Sequence, residues 1–197
     1  YTGPKQARVG VWRETAGLLA AASAAGVSLT LLHGNRDFML DATFGALAGA
    51  RVVAGGLRLD LGDRAALLLH GDELCQRDLP YQRANRLLRH PLTRGVLRRL
   101  PLRLALAAAA RARARSAAVI AAGDQTRFDP TAAALATCFA TGVDLLVFGH
   151  IHRPARGMFR AAAGGGEYAV LPAFDVDGVY LEWADGRLGY RTVRGPV

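Results

Sequence analysis

The sequence predicts a mixed α/β fold, and three observations support that class. Short apolar runs of strand length recur at residues 27–32, 65–69 and 144–148, separated by stretches with helical periodicity. Each run ends in a polar turn: His33-Gly34-Asn35-Arg36-Asp37, His70-Gly71-Asp72 and Gly149-His150-Ile151-His152-Arg153-Pro154. From Tyr168 to Tyr190 apolar and polar residues alternate around an Asp185-Gly186 turn, as in an antiparallel meander. The chain has 197 residues and is 51% hydrophobic, enough for one domain (1–197) with a sizeable core and too apolar for disorder.

The elements follow in order. Residues 4–25 read as a helix: Pro4 suits a first turn, apolar residues recur at Val9, Trp12, Ala16, Leu19 and Ala20, and Gly26 closes it. A second helix is expected over 38–48, and short strands around Gly55-Gly56 over 50–61. A further helix over 130–141 precedes the strand that leads into His150. The longest strongly apolar run, 104–110, is far too short to span a bilayer. Cys75 and Cys138, the only cysteines, form no paired motif and read as buried thiols of a reducing compartment.

Charge sets one segment apart. The net charge is +9, and all but one of the 25 basic residues are arginine. Arginine favours bidentate work on phosphates and carboxylates, so polyanionic partners are expected. Residues 79–123 hold ten arginines and no acid, with leucines between them and Pro91 and Pro101 breaking the helical pattern. This is a basic, amphipathic helical insertion. It reads as a solvated charged face, an anion-facing cap or a membrane-surface element. Nucleic-acid binding is not expected, because Tyr81 is the only aromatic there for base stacking.

In α/β sheets ligands gather beyond the carboxyl ends of strands, so three such polar turns point to one shared site. Asn35, His70, His150 and His152 offer imidazole nitrogen and amide oxygen, a set suited to Mn²⁺, Fe²⁺ or Zn²⁺ once carboxylates supply negative charge. The His150-x-His152 spacing places both rings on one side of an extended segment or splays them at a tight bend. Asp37 and Asp72 are expected to orient a ligand or cap a helix. His33 is expected to be structural, and His90 to lie on the surface of the insertion.

Those three turns resemble, in order and spacing, the later blocks of the calcineurin-like metallophosphoesterases. The fuller match, with His70-Gly71-Asp72-Glu73-Leu74-Cys75, Asp78 and Pro80-Tyr81-Gln82, is to the UDP-2,3-diacylglucosamine diphosphatases of lipid A synthesis. The resemblance implies two packed mixed β-sheets flanked by helices, with residues 79–123 as a cap. It implies a dinuclear Mn²⁺ centre, with Asn35, His70 and His150 ligating one ion and His152 the other. It implies water attack on the substrate's α-phosphate, releasing UMP and 2,3-diacylglucosamine 1-phosphate. Arg36 and His150 would be catalytic, and Asn35, Arg36, Asp78, Tyr81, Ser116 and His150 would contact substrate. Many other phosphoesterases of the calcineurin-like fold follow Gly-Asn with a histidine where Arg36 stands. A phosphate leaving group with a second pKa of about 6 needs no proton, so a fixed guanidinium suffices. The protein would sit peripherally on the cytoplasmic face of the inner membrane, its arginine-rich cap against anionic lipid.

Two departures accompany the resemblance. The family's Asp-x-His and bridging Gly-Asp blocks are not among these residues, which implies a segment upstream of Tyr1. The cap amide and lysine are replaced by Ile120 and Gly123, while Ser116 matches. Another phosphoesterase of nucleotide diphosphates or phosphodiesters, or a non-catalytic scaffold, are the alternative readings.

Overall fold

The structure, a computed structural model, describes residues 1–122, 125–162, 164–174 and 178–193. Among the described residues there are six α-helices and nine strands, a mixed α/β composition. The chain divides into two compact units, Tyr1–Gly55 with Asp78–Arg127, and Gly56–Arg77 with Phe128–Val197.

In the first unit, α1 (Gly10–Ala24) leads to β1 (Leu29–Leu32), α2 (Ala42–Ala48) and β2 (Ala50–Val53). β1 and β2 pair in parallel, Leu29 opposite Ala50 through Leu32 opposite Val53. Tyr1, Trp12 and Phe44 make an aromatic core with ring centroids 4.9–5.8 Å apart. The basic segment forms α3 (Leu79–Arg89), α4 (Pro91–Arg99) and α5 (Leu102–Ala122), divided where the prolines require it. Leu97 of α4 packs on the aromatic core. Arg98 pairs with Asp41 at 3.2 Å, and Lys5 Nζ donates to the Leu100 carbonyl at 2.8 Å.

The second unit is a layered sheet. β3 (Leu57–Asp60), β4 (Ala65–Leu69), β5 (Leu145–Phe148), β6 (Ala155–Ala161) and β7 (Gly164–Val170) form one mixed sheet in the order β3-β4-β5-β7-β6. β4, β5 and β7 run parallel, and the two edge strands antiparallel. The buried run of β5 alternates between faces, as a central strand must. Leu146 and Phe148 join the core under α6 (Ala132–Phe139), whereas Leu145 and Val147 face the hairpin of β8 (Val179–Ala184) and β9 (Arg187–Thr192). Tyr190 Oη, 2.7 Å from the Val170 carbonyl and 2.9 Å from that of Ala155, ties the hairpin to the sheet.

Three expectations need correction. The first helix begins at Gly10, because Val9 is extended and a separate 3₁₀ turn covers Gln6–Arg8. The second begins at Ala42: the Asp41 carboxylate accepts from the Thr43 and Phe44 amides, so residues 38–41 form a loop ending in a helix cap. The C-terminal strands are not one meander. β7 pairs in parallel with β5, and β8–β9 is a separate two-stranded sheet. β6 escaped the pattern because, at a sheet edge, it turns little more than Gly157 and Phe159 inward.

Candidate active site

The ends of β4 and β5 create the best-defined polar cluster. The parallel register sets Leu69 beside Phe148, so the chains leave the sheet side by side and the Gly149 amide donates to the His70 carbonyl at 3.0 Å. Gly71 makes this approach possible. Its φ of +107° suits glycine, and a Cβ there would lie 3.1 Å from the Gly149 carbonyl oxygen and 3.2 Å from the Phe148 ring. The His70 and His150 rings meet edge to face, centroids 5.1 Å apart. His70 Nδ1 donates at 2.8 Å to Asp72 Oδ1, whose residue is only 1% exposed. That bond fixes the tautomer and leaves Nε2 as a lone-pair donor. Glu73 accepts from the Gly71 amide at 3.1 Å, and its carboxyl is pushed up by burial and by the Asp72 charge.

The His-x-His segment is a bend, not a strand. His150 (φ +66°) and His152 (φ +52°) both adopt the left-handed conformation, unusual outside glycine and a mark of local strain. The Ile151 amide donates to the Gly149 carbonyl at 2.8 Å, and the Ile151 side chain packs into the core beneath. Of the two extended-or-bent readings, the bend holds: His150 stays half-buried beside His70, and His152 is exposed. Arg153, next along, pairs with Asp129.

The 33–37 turn belongs to the first unit. His33 is buried and its Nε2 donates to the Leu40 carbonyl at 2.8 Å. Burial lowers its pKa, so the ring is a neutral structural group. Asn35 is half-buried and Arg36 exposed. Arg89 Nη2 donates to the Gly34 carbonyl at 3.4 Å, a contact from the cap that no motif announced. Asp78 is buried as the cap of α3, accepting from the Tyr81 amide at 3.5 Å and lying 3.7 Å from Arg127 Nη2. Tyr81 is half-buried in the same turn of helix, and Ser116 is exposed on α5. Gly123 and the side chain of Ile120 lie outside the described residues. His90 is an exposed helix cap whose Nδ1 accepts from the Leu92 amide at 3.3 Å. Cys75 is a buried thiol that donates to the Phe128 carbonyl at 2.9 Å.

Among the described residues, no group of three or more His, Cys, Asp or Glu side chains is arranged to hold a metal ion. The pair His70–His150 with its Asp72 support is thus a partial donor set, rich in nitrogen and short of carboxylate. What the pair offers is imidazole nitrogen, with the His70 ring oriented by a buried acid.

The chain is 39% identical over 134 residues to a UDP-2,3-diacylglucosamine hydrolase of Pseudomonas putida, and 41% identical over 135 residues to that of Cellvibrio japonicus. Each alignment covers 68% of this chain and 56% of the relative. The hydrolase of Stutzerimonas stutzeri is 39% identical over 165 residues, covering 83% of this chain and 69% of the relative. The chain belongs to the UDP-2,3-diacylglucosamine hydrolase family. It thus spans a little over half the length of the first two of these hydrolases. No protein-family model matches it. The family assignment agrees with the sequence reading built on the 33–37, 70–75 and 149–154 blocks.

Proposed function

We propose that the protein hydrolyses the pyrophosphate bond of UDP-2,3-diacylglucosamine to UMP and 2,3-diacylglucosamine 1-phosphate, on a calcineurin-like metallophosphoesterase fold. The observation carrying this is the family membership, joined to the paired His70 and His150 at adjacent strand ends. His70, His150 and His152, with Asn35 on the strength of the sequence resemblance, would hold two Mn²⁺ ions alongside carboxylates beyond this donor set. Bound divalent ions supply Lewis-acid polarisation of phosphoryl oxygens and water of lowered pKa.

The chain's own residues do the rest. Asp72 holds the His70 ring and its tautomer. Gly71 lets the His70 and His150 turns approach. Arg36, exposed and permanently cationic, spreads charge on the departing phosphate. Arg36→Ala in the whole enzyme should lower kcat by about 10²–10³-fold, the scale of losing one oxyanion donor, with metal content unchanged. Loss of metal with that substitution would overturn the assigned role.

The cap serves an anionic membrane surface. Leu87 (67% exposed), Leu92 (75%) and Val96 (61%) stand out on α3 and α4 among arginines. Among the described residues no helix is long and apolar enough to cross a membrane. Peripheral docking by apolar insertion and charge fits that pattern. Vesicles containing anionic lipid should bind the protein at low salt and release it as salt rises. Equal binding to neutral vesicles would contradict this part.

A further inference from the structure

Among the described residues only three outside glycine have positive φ, and two of them, His150 and His152, share one bend. Strained backbone of this kind persists only where its surroundings over-determine it. On the near side the tethers are the Gly149 amide, donating to the His70 carbonyl, and Ile151, packed in the core under α6. On the far side the tether is Arg153, ion-paired with Asp129. Pro154 restricts Arg153 to extended backbone, so that pair acts on His152 through a stiff link. Asp129 is itself held on the other histidine turn. It lies in a short strap, residues 128–131, where the chain re-enters the second unit. The Phe128 carbonyl accepts from Cys75 Sγ at 2.9 Å, and the Thr131 amide donates to the Leu74 carbonyl at 3.0 Å. Thr131 Oγ1 donates to Gln76 Oε1 at 2.9 Å and, as the cap of α6, accepts from the Ala134 amide at 3.2 Å. One strap thus reaches both histidine turns.

We infer that the Asp129–Arg153 pair is a positioning clasp, which locks the His150–His152 bend to the His70 turn and so sets where the three imidazoles point. Both residues act through the histidines. The catalytic consequence rests on the phosphoesterase reading; the conformational one does not. An exposed ion pair adds little to global stability, so the effect is local, on which backbone conformation the bend populates. Arg191 and Glu182, 2.9 Å apart on the β8–β9 hairpin, supply the control: their side chains are 60% and 37% exposed, against 62% and 33% for Arg153 and Asp129.

The test is made in the whole protein. Before Mn²⁺ is added, a strong NOE between the amide and Hα protons of His152 reports its positive φ. Asp129→Asn should weaken that NOE. With saturating Mn²⁺ it should lower kcat on the lipid substrate about tenfold, the low end for losing a group that orients a ligand, and leave KM unchanged. Arg153→Gln should reproduce both losses, whereas Arg153→Lys should stay close to wild type. Exchanging the charges, Asp129→Arg with Arg153→Asp, should recover part of both readouts, as lost packing alone would not. Glu182→Gln should change neither readout and melt as Asp129→Asn does. In an active enzyme the clasp is overturned if Asp129→Asn leaves either the NOE or kcat as in wild type, if the exchange recovers neither, or if Glu182→Gln loses as much. If wild type releases no UMP, loss of the NOE in Asp129→Asn upholds the clasp and refutes the function; its retention refutes both.

Discussion

Gly71→Ala probes the geometry on which the histidine pair depends. Alanine must adopt φ +107° there, and its Cβ meets the Gly149 carbonyl oxygen at 3.1 Å and Phe148 atoms at 3.2 and 3.3 Å. The backbone conformation costs about 1–3 kcal/mol. Phe148 is fully buried in the core under α6, so it cannot yield freely, and the overpacking adds about 1 kcal/mol or more. A total near 3 kcal/mol lowers the melting temperature by about 6–12 °C in a protein of this size. Gly62→Ala is the control: φ is +94° but nothing lies within 4 Å, so only the backbone cost remains. Chemical denaturation of both variants gives the difference directly. If Gly71→Ala costs no more than Gly62→Ala, the two histidine turns are not in the close contact described, and the pairing of His70 with His150 loses its structural basis.

Other predictions concern charge. Asp72→Ala should release the His70 ring, which ¹⁵N spectroscopy would register as loss of the Nδ1–H tautomer; in the whole enzyme Mn²⁺ affinity should fall about 10–100-fold. An unchanged tautomer would remove Asp72 from its orienting role. Glu167 is held below the usual carboxylate range: burial opposes ionisation, but hydrogen bonds from Arg156 and Arg64 outweigh it. A depressed carboxyl stabilises the fold above its unfolded pKa and loses that contribution as pH falls through the folded value. Glu167→Gln should therefore cost about 1 kcal/mol at neutral pH, with the gap to wild type closing below about pH 4. A gap that persists in acid would mean the loss is one of packing.

Periodicity made the central strands legible. The apolar run 65–69 is β4 as read, and the run before His150 is β5, because both are buried on two faces and bounded by turn residues. The cap helices were legible because Pro91 and Pro101 leave little freedom over where helices end. β6 was not, since an edge strand needs little apolar patterning. Asp41 as a cap could have been found, because an acid before Ala-Thr-Phe is a helix-start signal. At the site, residue types named the candidates, but only the parallel register of β4 and β5 brings His70 beside His150. The spacing of His150 and His152 left an extended segment and a tight bend both open, and only the structure reveals the left-handed backbone at the two residues. Arg89 at the Gly34 carbonyl was equally invisible, one arginine among ten.

The most direct measurement is product analysis with the whole enzyme and Mn²⁺, offering UDP-2,3-diacylglucosamine beside a simple nucleotide diphosphate. The account predicts UMP and the acylated glucosamine 1-phosphate from the lipid substrate, abolished by His70→Ala and by His150→Ala. A folded, metal-loaded enzyme that cleaves the simple nucleotide and releases no UMP from the lipid would contradict it.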